Sequence, residues 1–270
     1  MITLPLVVFE GRARQPARNV QIHLAMARQL PKVVRFFDAP GPNPWVVRLA
    51  LAAKGVDLPA VTRKMGLVDG RPENRSDAML ALNSAGTTPF VQLEDGSVLA
   101  ESVAIVSYLD HAYPGAGPRL MGGDDALQAA QVLMWQRRVE LQIIMPWQRQ
   151  FQNGEGAPYF SQFVPWVAES VPSVPGLRCQ VRASLAWLED EMQARVQSGK
   201  DTGFVAGTPD FTVADLQLYT TAEFMGGPKV NRAKLTEPFD PRQEESFGPW
   251  LHAWLSRMAK ISRELTGPSK

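Results

Sequence analysis

The chain is poor in the residues that build covalent or metal-held frameworks. One cysteine, Cys179, in 270 residues excludes an internal disulfide network and suits a reducing compartment. Three histidines, His23, His111 and His252, are far apart in sequence and lack metal-ligand spacing, so no zinc site is expected. A formal net charge of +1 gives no electrostatic pull toward nucleic acid or an anionic membrane surface. No apolar run reaches the length of a membrane span, and no internal repeat or low-complexity stretch stands out. What is present is ordinary globular material, 45% hydrophobic and 20% charged, long enough for two modest domains.

Charge is unevenly spread. Arg12, Arg14, Arg18, Arg28 and Lys32 face only Glu10 in residues 1–32, which leaves that segment at +4 and the remainder at −3. Basic, acid-poor N-termini can be organelle transit segments. Leu4-Pro5-Leu6-Val7-Val8-Phe9 is too short and too broken by proline for a secretory core. The segment is expected to be a poorly ordered extension and the protein cytoplasmic.

From there the pattern alternates. Val33 to Phe37 reads as a strand, β-branched and aromatic. Pro44 suits the first position of a helix because its missing N–H would be unpaired there anyway. Trp45, Val46, Leu49, Ala50 and Ala53 recur at helical spacing up to Gly55. Pro59 to Lys64 reads as a second strand and Glu73 to Leu82 as a short helix. After the turn at Asn83 come Phe90-Val91-Gln92-Leu93, a hairpin at Asp95-Gly96, and a helix opening at Glu101-Ser102. Residues 113–123, rich in glycine and proline, form a linker.

Beyond the linker the periodicity is helical. Asp124 is placed to cap a long helix that Pro146 should bend, since proline removes a backbone bond and crowds the preceding turn. Residues 153–176 read as an irregular connection or short helices. A further helix runs from Leu177 to Gln197, in which Cys179, with Leu185 and Leu188, is expected to be a buried apolar group. Thr212 and Asp215 have capping-box spacing, and Trp250, Leu251, Trp254, Leu255 and Met258 mark a last helix.

The ordered set Asn83-Ser84-Ala85-Gly86, Thr88-Pro89-Phe90-Val91, Asp95-Gly96, Glu101-Ser102 and Tyr108-Leu109 resembles the N-terminal domain of cytosolic glutathione transferases. Trp135 to Glu140 and Gly207 to Asp215 are similar to that family's all-helical half. The resemblance implies an α/β plus all-α fold: a thioredoxin-like domain over 33–112, a linker over 113–123 and a helical bundle over 124–270. It implies a homodimer, and it implies glutathione as cosubstrate with a small hydrophobic electrophile as its partner. Neither nucleic acid nor membrane enters.

Site residues follow from the same resemblance. The backbone of Thr88, beside a cis Pro89, would pair with the cysteinyl part of glutathione. Glu101 and Ser102 would hold the γ-glutamyl end, where the open N–H groups and dipole of a helix start favour a carboxylate. Asn74 and Arg75, with Lys64 as a further candidate, fit the glycyl end.

The usual Tyr, Ser or Cys that assists the thiol is missing from Ala39-Pro40-Gly41-Pro42-Asn43-Pro44-Trp45. This departure resembles atypical bacterial and fungal members, of the nu-like or the yeast type, and puts Asn43 in the catalytic place. Its amide can donate to a thiolate beside the helix dipole; the same side chain could instead cap the helix. In the yeast type a polarised water takes part, for which Gln148 and Gln152 are candidates. Trp147, Gln148, Phe151, Tyr159 and Phe160 are candidates for the electrophile pocket, and the aromatics among them serve equally as core. Arg48 is expected to be structural or at a subunit interface. Glutathione-dependent disulfide or peroxide reduction, and a non-catalytic binding protein, stay open beside conjugation.

Overall fold

The computed structural model describes residues 30–68, 71–160, 171–226 and 239–267. Most of the basic N-terminal segment, and 161–170 of the stretch read as irregular, lie outside the described residues. The chain divides between Leu30 and Pro31 into two units, and every element named here belongs to the second.

Six strands and four helices come first. They are β1 (Val33–Asp38), α1 (Pro42–Ala53), α2 (Leu58–Val61), β2 (Thr62–Lys64), β3 (Leu67–Val68), β4 (Arg71–Pro72), α3 (Asp77–Leu80), β5 (Phe90–Leu93), β6 (Val98–Ala100) and α4 (Ser102–Ala112). The main sheet has the order β2-β1-β5-β6, with β1 parallel to β2 and antiparallel to β5, and β6 antiparallel to β5. A small separate hairpin joins β3 to β4. Successive side chains of a strand point to opposite faces, and both faces are covered. Phe36 and Val91 join Leu49, Ile105 and Leu109 in the large core shared with α1 and α4. Phe37 stacks on Phe90 at 4.0 Å on the other face, beside Met65 and Met79.

The second half is helical: α5 (Ala126–Val139), α6 (Met145–Asn153), α7 (Ala157–Phe160), α8 (Val174–Gln197), α9 (Val213–Gly226) and α10 (Pro249–Thr266). Helix α9 lies against α1 and α5, and nearly all of it is buried. Carboxylates do much of the joining. Glu189 of α8 accepts from the N–H groups of Trp250 and Leu251 at 2.9 Å each. That satisfies open donors at the start of α10, which has no side-chain cap of its own.

Several expectations need correction. Helix α1 starts at Pro42, with Gly41 as its flanking residue, so Pro44 is the third residue of its first turn rather than the first. Residues 58–61 coil into α2 before β2 begins, because Asp57 accepts from Ala60 N–H and closes a turn there. Asp125, not Asp124, caps α5 by accepting from Gln128 N–H at 2.7 Å; Asp124 pairs with Arg119. Pro146 is preceded by a π turn over Glu140–Ile144, which absorbs the bond that proline cannot make. Cys179 is exposed on α8, not buried: α8 turns Val181, Leu185, Leu188 and Met192 inward, and position 179 falls off that stripe.

Candidate functional site

The sheet register gathers the site. Phe37 of β1 lies opposite Phe90 of β5, and Phe90 lies opposite Ala100 of β6. All three strands therefore leave or enter the sheet along one rim. Just beyond it stand Asp38 to Asn43 after β1, Thr88-Pro89 before β5, and Glu101-Ser102 after β6. Neighbouring strands are about 4.8 Å apart, so β1 and β6 set the rim's width at roughly 10 Å.

Each part of the rim offers unpaired polar groups. Prolines at 42 and 44 have no N–H, and Trp45 N–H bonds back to Gly41 O at 3.3 Å. At the start of α1 the N–H groups of Gly41 and Asn43 remain open among the described residues. The Asn43 side chain is exposed, and the cap position belongs to Gly41, whose φ of 147° is one that residues with a Cβ rarely adopt. Asn43 thus stands at the positive end of a helix dipole with its amide uncommitted among the described residues.

In the middle of the rim, the Thr88–Pro89 bond is cis. Asn83 braces the preceding turn: its amide donates to Thr87 O at 2.9 Å and its oxygen accepts from Ala85 N–H at 3.3 Å. The Thr88 N–H and C=O have no partner among the described residues.

At the far end, Glu101 adopts φ 68°, the one positive φ outside glycine among the described residues. Strain of this kind persists where the surroundings over-determine a residue, and it clusters at ligand sites. The Glu101 side chain is exposed, Ser102 is buried, and neither side chain has a hydrogen-bond partner among the described residues.

The remaining candidates divide. Asn74 donates to Gly86 O and so braces the Asn83 turn from outside. Arg75 and Lys64 are exposed, without an ion pair among the described residues. Trp147 is fully buried in the large core and offers no face to a ligand. Gln148 is half-buried. Phe151 meets Phe160 and Phe224 edge-on, at 6.0 and 6.5 Å. The side chain of Tyr159 lies outside the described residues.

Sequence reasoning missed two aromatic participants, Tyr219 and Phe224, and the partner of Arg48. Tyr219 of α9 packs its ring edge-on to Trp45 of α1 at 5.5 Å, and burial pushes its phenol up from the ordinary value. Phe224 follows one turn later on the same helix. Arg48 pairs with Asp38 through both carboxylate oxygens. Aromatics spaced five apart on α9 were the available signal for the first two. A concavity of about 310 Å³ between Arg119, Asp124, Gln128 and Asp210 shares no residue with the rim.

Parts of the chain are similar to known proteins. Residues 40–112 match the family model described as glutathione S-transferase, N-terminal domain. Maleylacetoacetate isomerase of Pseudomonas aeruginosa is 38% identical over 85 residues, covering 32% of this chain and 38% of that protein. Glutathione S-transferase 2 of Saccharomyces cerevisiae is 33% identical over 111 residues, covering 41% of this chain and 46% of that protein. The chain thus spans less than half the length of these curated relatives. A crystal structure of a glutathione S-transferase domain-containing protein from Marinobacter aquaeolei superposes with a TM-score of 0.64 at 26% identity, over 83% of this chain and 97% of that one. The match and the likeness support a place in the glutathione S-transferase superfamily and a fold of a thioredoxin-like sheet domain followed by a helical one.

Proposed function

We propose that the rim binds glutathione and that the protein joins it, through its sulfur, to a small hydrophobic electrophile. One observation carries the reading: a single register line brings the open donors of Asn43, the unpaired backbone of Thr88 and the unpaired Glu101-Ser102 to one edge. An extended tripeptide spans about 10 Å, which is also the rim's width. Its acidic head would meet Ser102 and the start of α4, and its cysteinyl backbone would pair with Thr88. The sulfur would then lie toward α1, and Arg75 or Lys64 would serve the glycyl carboxylate.

The chemistry needs a thiolate. Its proton leaves to solvent, the Asn43 amide donates to the sulfur anion, and the positive end of the helix dipole stabilises that anion further. The sulfur then forms a bond to the electrophilic carbon, and the leaving group departs with the electron pair of its own bond. Phe151, Phe160 and Phe224 are the aromatic surface on which a flat substrate would pack. Asn43→Ala removes a hydrogen bond to a charged atom, a loss of about 1.5–3 kcal/mol, or roughly ten- to hundredfold in kcat/KM at neutral pH. Turnover of a chloronitroarene with glutathione checks this, and undiminished turnover removes the role of Asn43. Calorimetry that detects no heat with glutathione removes the whole reading.

Reduction of disulfides or peroxides by glutathione uses the same rim, and a mixed-disulfide substrate run beside the chloronitroarene separates the two reactions. Tight glutathione binding without either turnover would favour a binding protein.

No described helix is long and apolar enough to cross a membrane, and a reduced tripeptide cosubstrate suits the cytoplasm. A homodimer fits the exposed stripe of Leu127, Ala130, Met134 and Leu141 along α5 and the π turn. These residues share a helix face that the other described residues leave open. Met134→Glu is expected to convert the dimer to monomer in sedimentation velocity. A wild-type chain that sediments as a monomer would end this assignment.

A further inference from the structure

The loop that delivers Asn43 is closed by one ion pair. Asp38 ends β1, and Arg48 lies in the second turn of α1. The Arg48 Nη2 donates to Asp38 Oδ1 at 2.7 Å and to Oδ2 at 2.9 Å, while Nε reaches Oδ2 at 3.2 Å. Two-pronged contacts of this kind fix orientation as well as charge. Between the two partners run Ala39 to Val47, including Pro40, Gly41, Pro42, Asn43 and Pro44. The backbone oxygen of Asp38 also accepts from Met65 N–H at 2.6 Å, so the fixed end of the pair is anchored to the sheet.

The pair also cancels a charge. Asp38 is 5% exposed, and Arg48 is its ion-pair partner among the described residues. Lys64 stands opposite Asp38 in the β1–β2 register but is exposed and forms no ion pair with it among the described residues. The neighbouring strand β5 presents Phe90 and Val91, neither of them charged. Arg48 lies five residues past Asn43, about 7.5 Å along the helix axis. Without it, a poorly solvated carboxylate would sit just behind the first turn, where the sulfur anion is to be held.

We infer that Arg48 is a positioning residue for the thiolate: through Asp38 it holds Gly41 to Pro44 in place and cancels the negative charge behind them. The inference rests on the glutathione reading and adds a residue that does not touch the ligand. An opposing charge at roughly 10 Å in a partly buried setting displaces a titration by about one pH unit.

The test is the pH profile of kcat/KM for glutathione with a chloronitroarene, together with calorimetry of glutathione binding. In Arg48→Gln the acid limb is expected to move up by about one unit. Activity would then fall about tenfold below the midpoint and little above it. Arg48→Lys should recover part of the displacement, and Arg48→Gln combined with Asp38→Asn most of it. An equal loss at every pH, or an unmoved midpoint, overturns the inference. Should Arg48→Gln not fold, Asp38→Asn alone decides: an unopposed guanidinium should move the midpoint down, and a midpoint that stays or rises overturns the inference. A wild-type chain without heat on glutathione addition overturns the functional reading and this one together. Heat retained with an unmoved midpoint overturns only the role of Arg48.

Discussion

Lys54→Met is expected to lower the free energy of unfolding by about 3–5 kcal/mol, the usual cost of leaving a buried charge without its partner. The Lys54 Nζ lies 2.7 Å from Asp110 Oδ1, with side-chain exposures of 0% and 4%. It also donates to Pro118 O at 2.6 Å. Asp110 in turn accepts from Leu120 N–H at 3.0 Å and Met121 N–H at 2.6 Å. One pair thus joins the end of α1, the end of α4 and the linker. The linker runs so close that a Cβ on Gly117 would lie 2.0 Å from Ala53 O.

Helices α1 and α4 carry the two ends of the candidate site at their N-termini, so loosening their C-termini should also raise KM for glutathione several-fold. Urea unfolding gives the stability, and steady-state kinetics the second effect. Combining Lys54→Met with Asp110→Asn should cost less than the two losses added, because no unpaired charge remains buried. A loss below about 0.5 kcal/mol for Lys54→Met, the range of an ordinary surface change, would show that the pair adds nothing to stability.

Asp215→Ala should cost a similar amount, about 3–5 kcal/mol, through a different loss. This carboxylate is wholly buried. Its Oδ1 accepts from Val205 N–H and Trp254 Nε1, each at 2.9 Å. Its Oδ2 accepts from Thr212 N–H at 2.9 Å and the Thr212 hydroxyl at 3.1 Å. Truncation strands four donors in the core, each carrying a desolvation cost of about 1–3 kcal/mol before relaxation.

A pH dependence accompanies the loss. Burial raises the Asp215 carboxyl above its ordinary 3.8, against the pull of those four donors. The folded chain therefore keeps this proton to a higher pH than the unfolded chain does. That contribution to stability is full below 3.8 and is lost as pH rises through the folded value. The alanine variant lacks it, so the deficit between wild type and Asp215→Ala should widen as pH falls toward 3.8. A deficit that narrows over this range would mean the carboxyl is not raised.

The thioredoxin-like order of elements was legible because it is written in local chemistry. Proline and glycine punctuate it, β-branched and aromatic runs give β1 and β5, and Asp95-Gly96 marks the hairpin before β6. The Asn83 turn, Thr88-Pro89 and Glu101-Ser102 were readable as an ordered motif. Asp215 reaching back to Thr212 was readable from a spacing of three. Element ends were less so: whether Asp124 or Asp125 caps α5 depends on which carboxylate Arg119 takes, and Arg119 lies in a separate turn.

Sequence alone determined which residues would reach the rim, since the distance from each strand end to Asn43, Thr88 and Glu101 is a matter of chain connectivity. Tertiary structure decided which of them stay uncommitted there. Asn74 is taken up by Gly86, Trp147 is sealed in the core, and Asn43 is released from capping because Gly41 holds that position. The pairs Lys54–Asp110, Arg48–Asp38 and Trp45–Tyr219 were likewise settled by the fold. A hydrogen bond, ion pair or ring contact forms only when two side chains meet in space, and separations of 10 to 174 residues leave no periodic trace of that meeting in the chain.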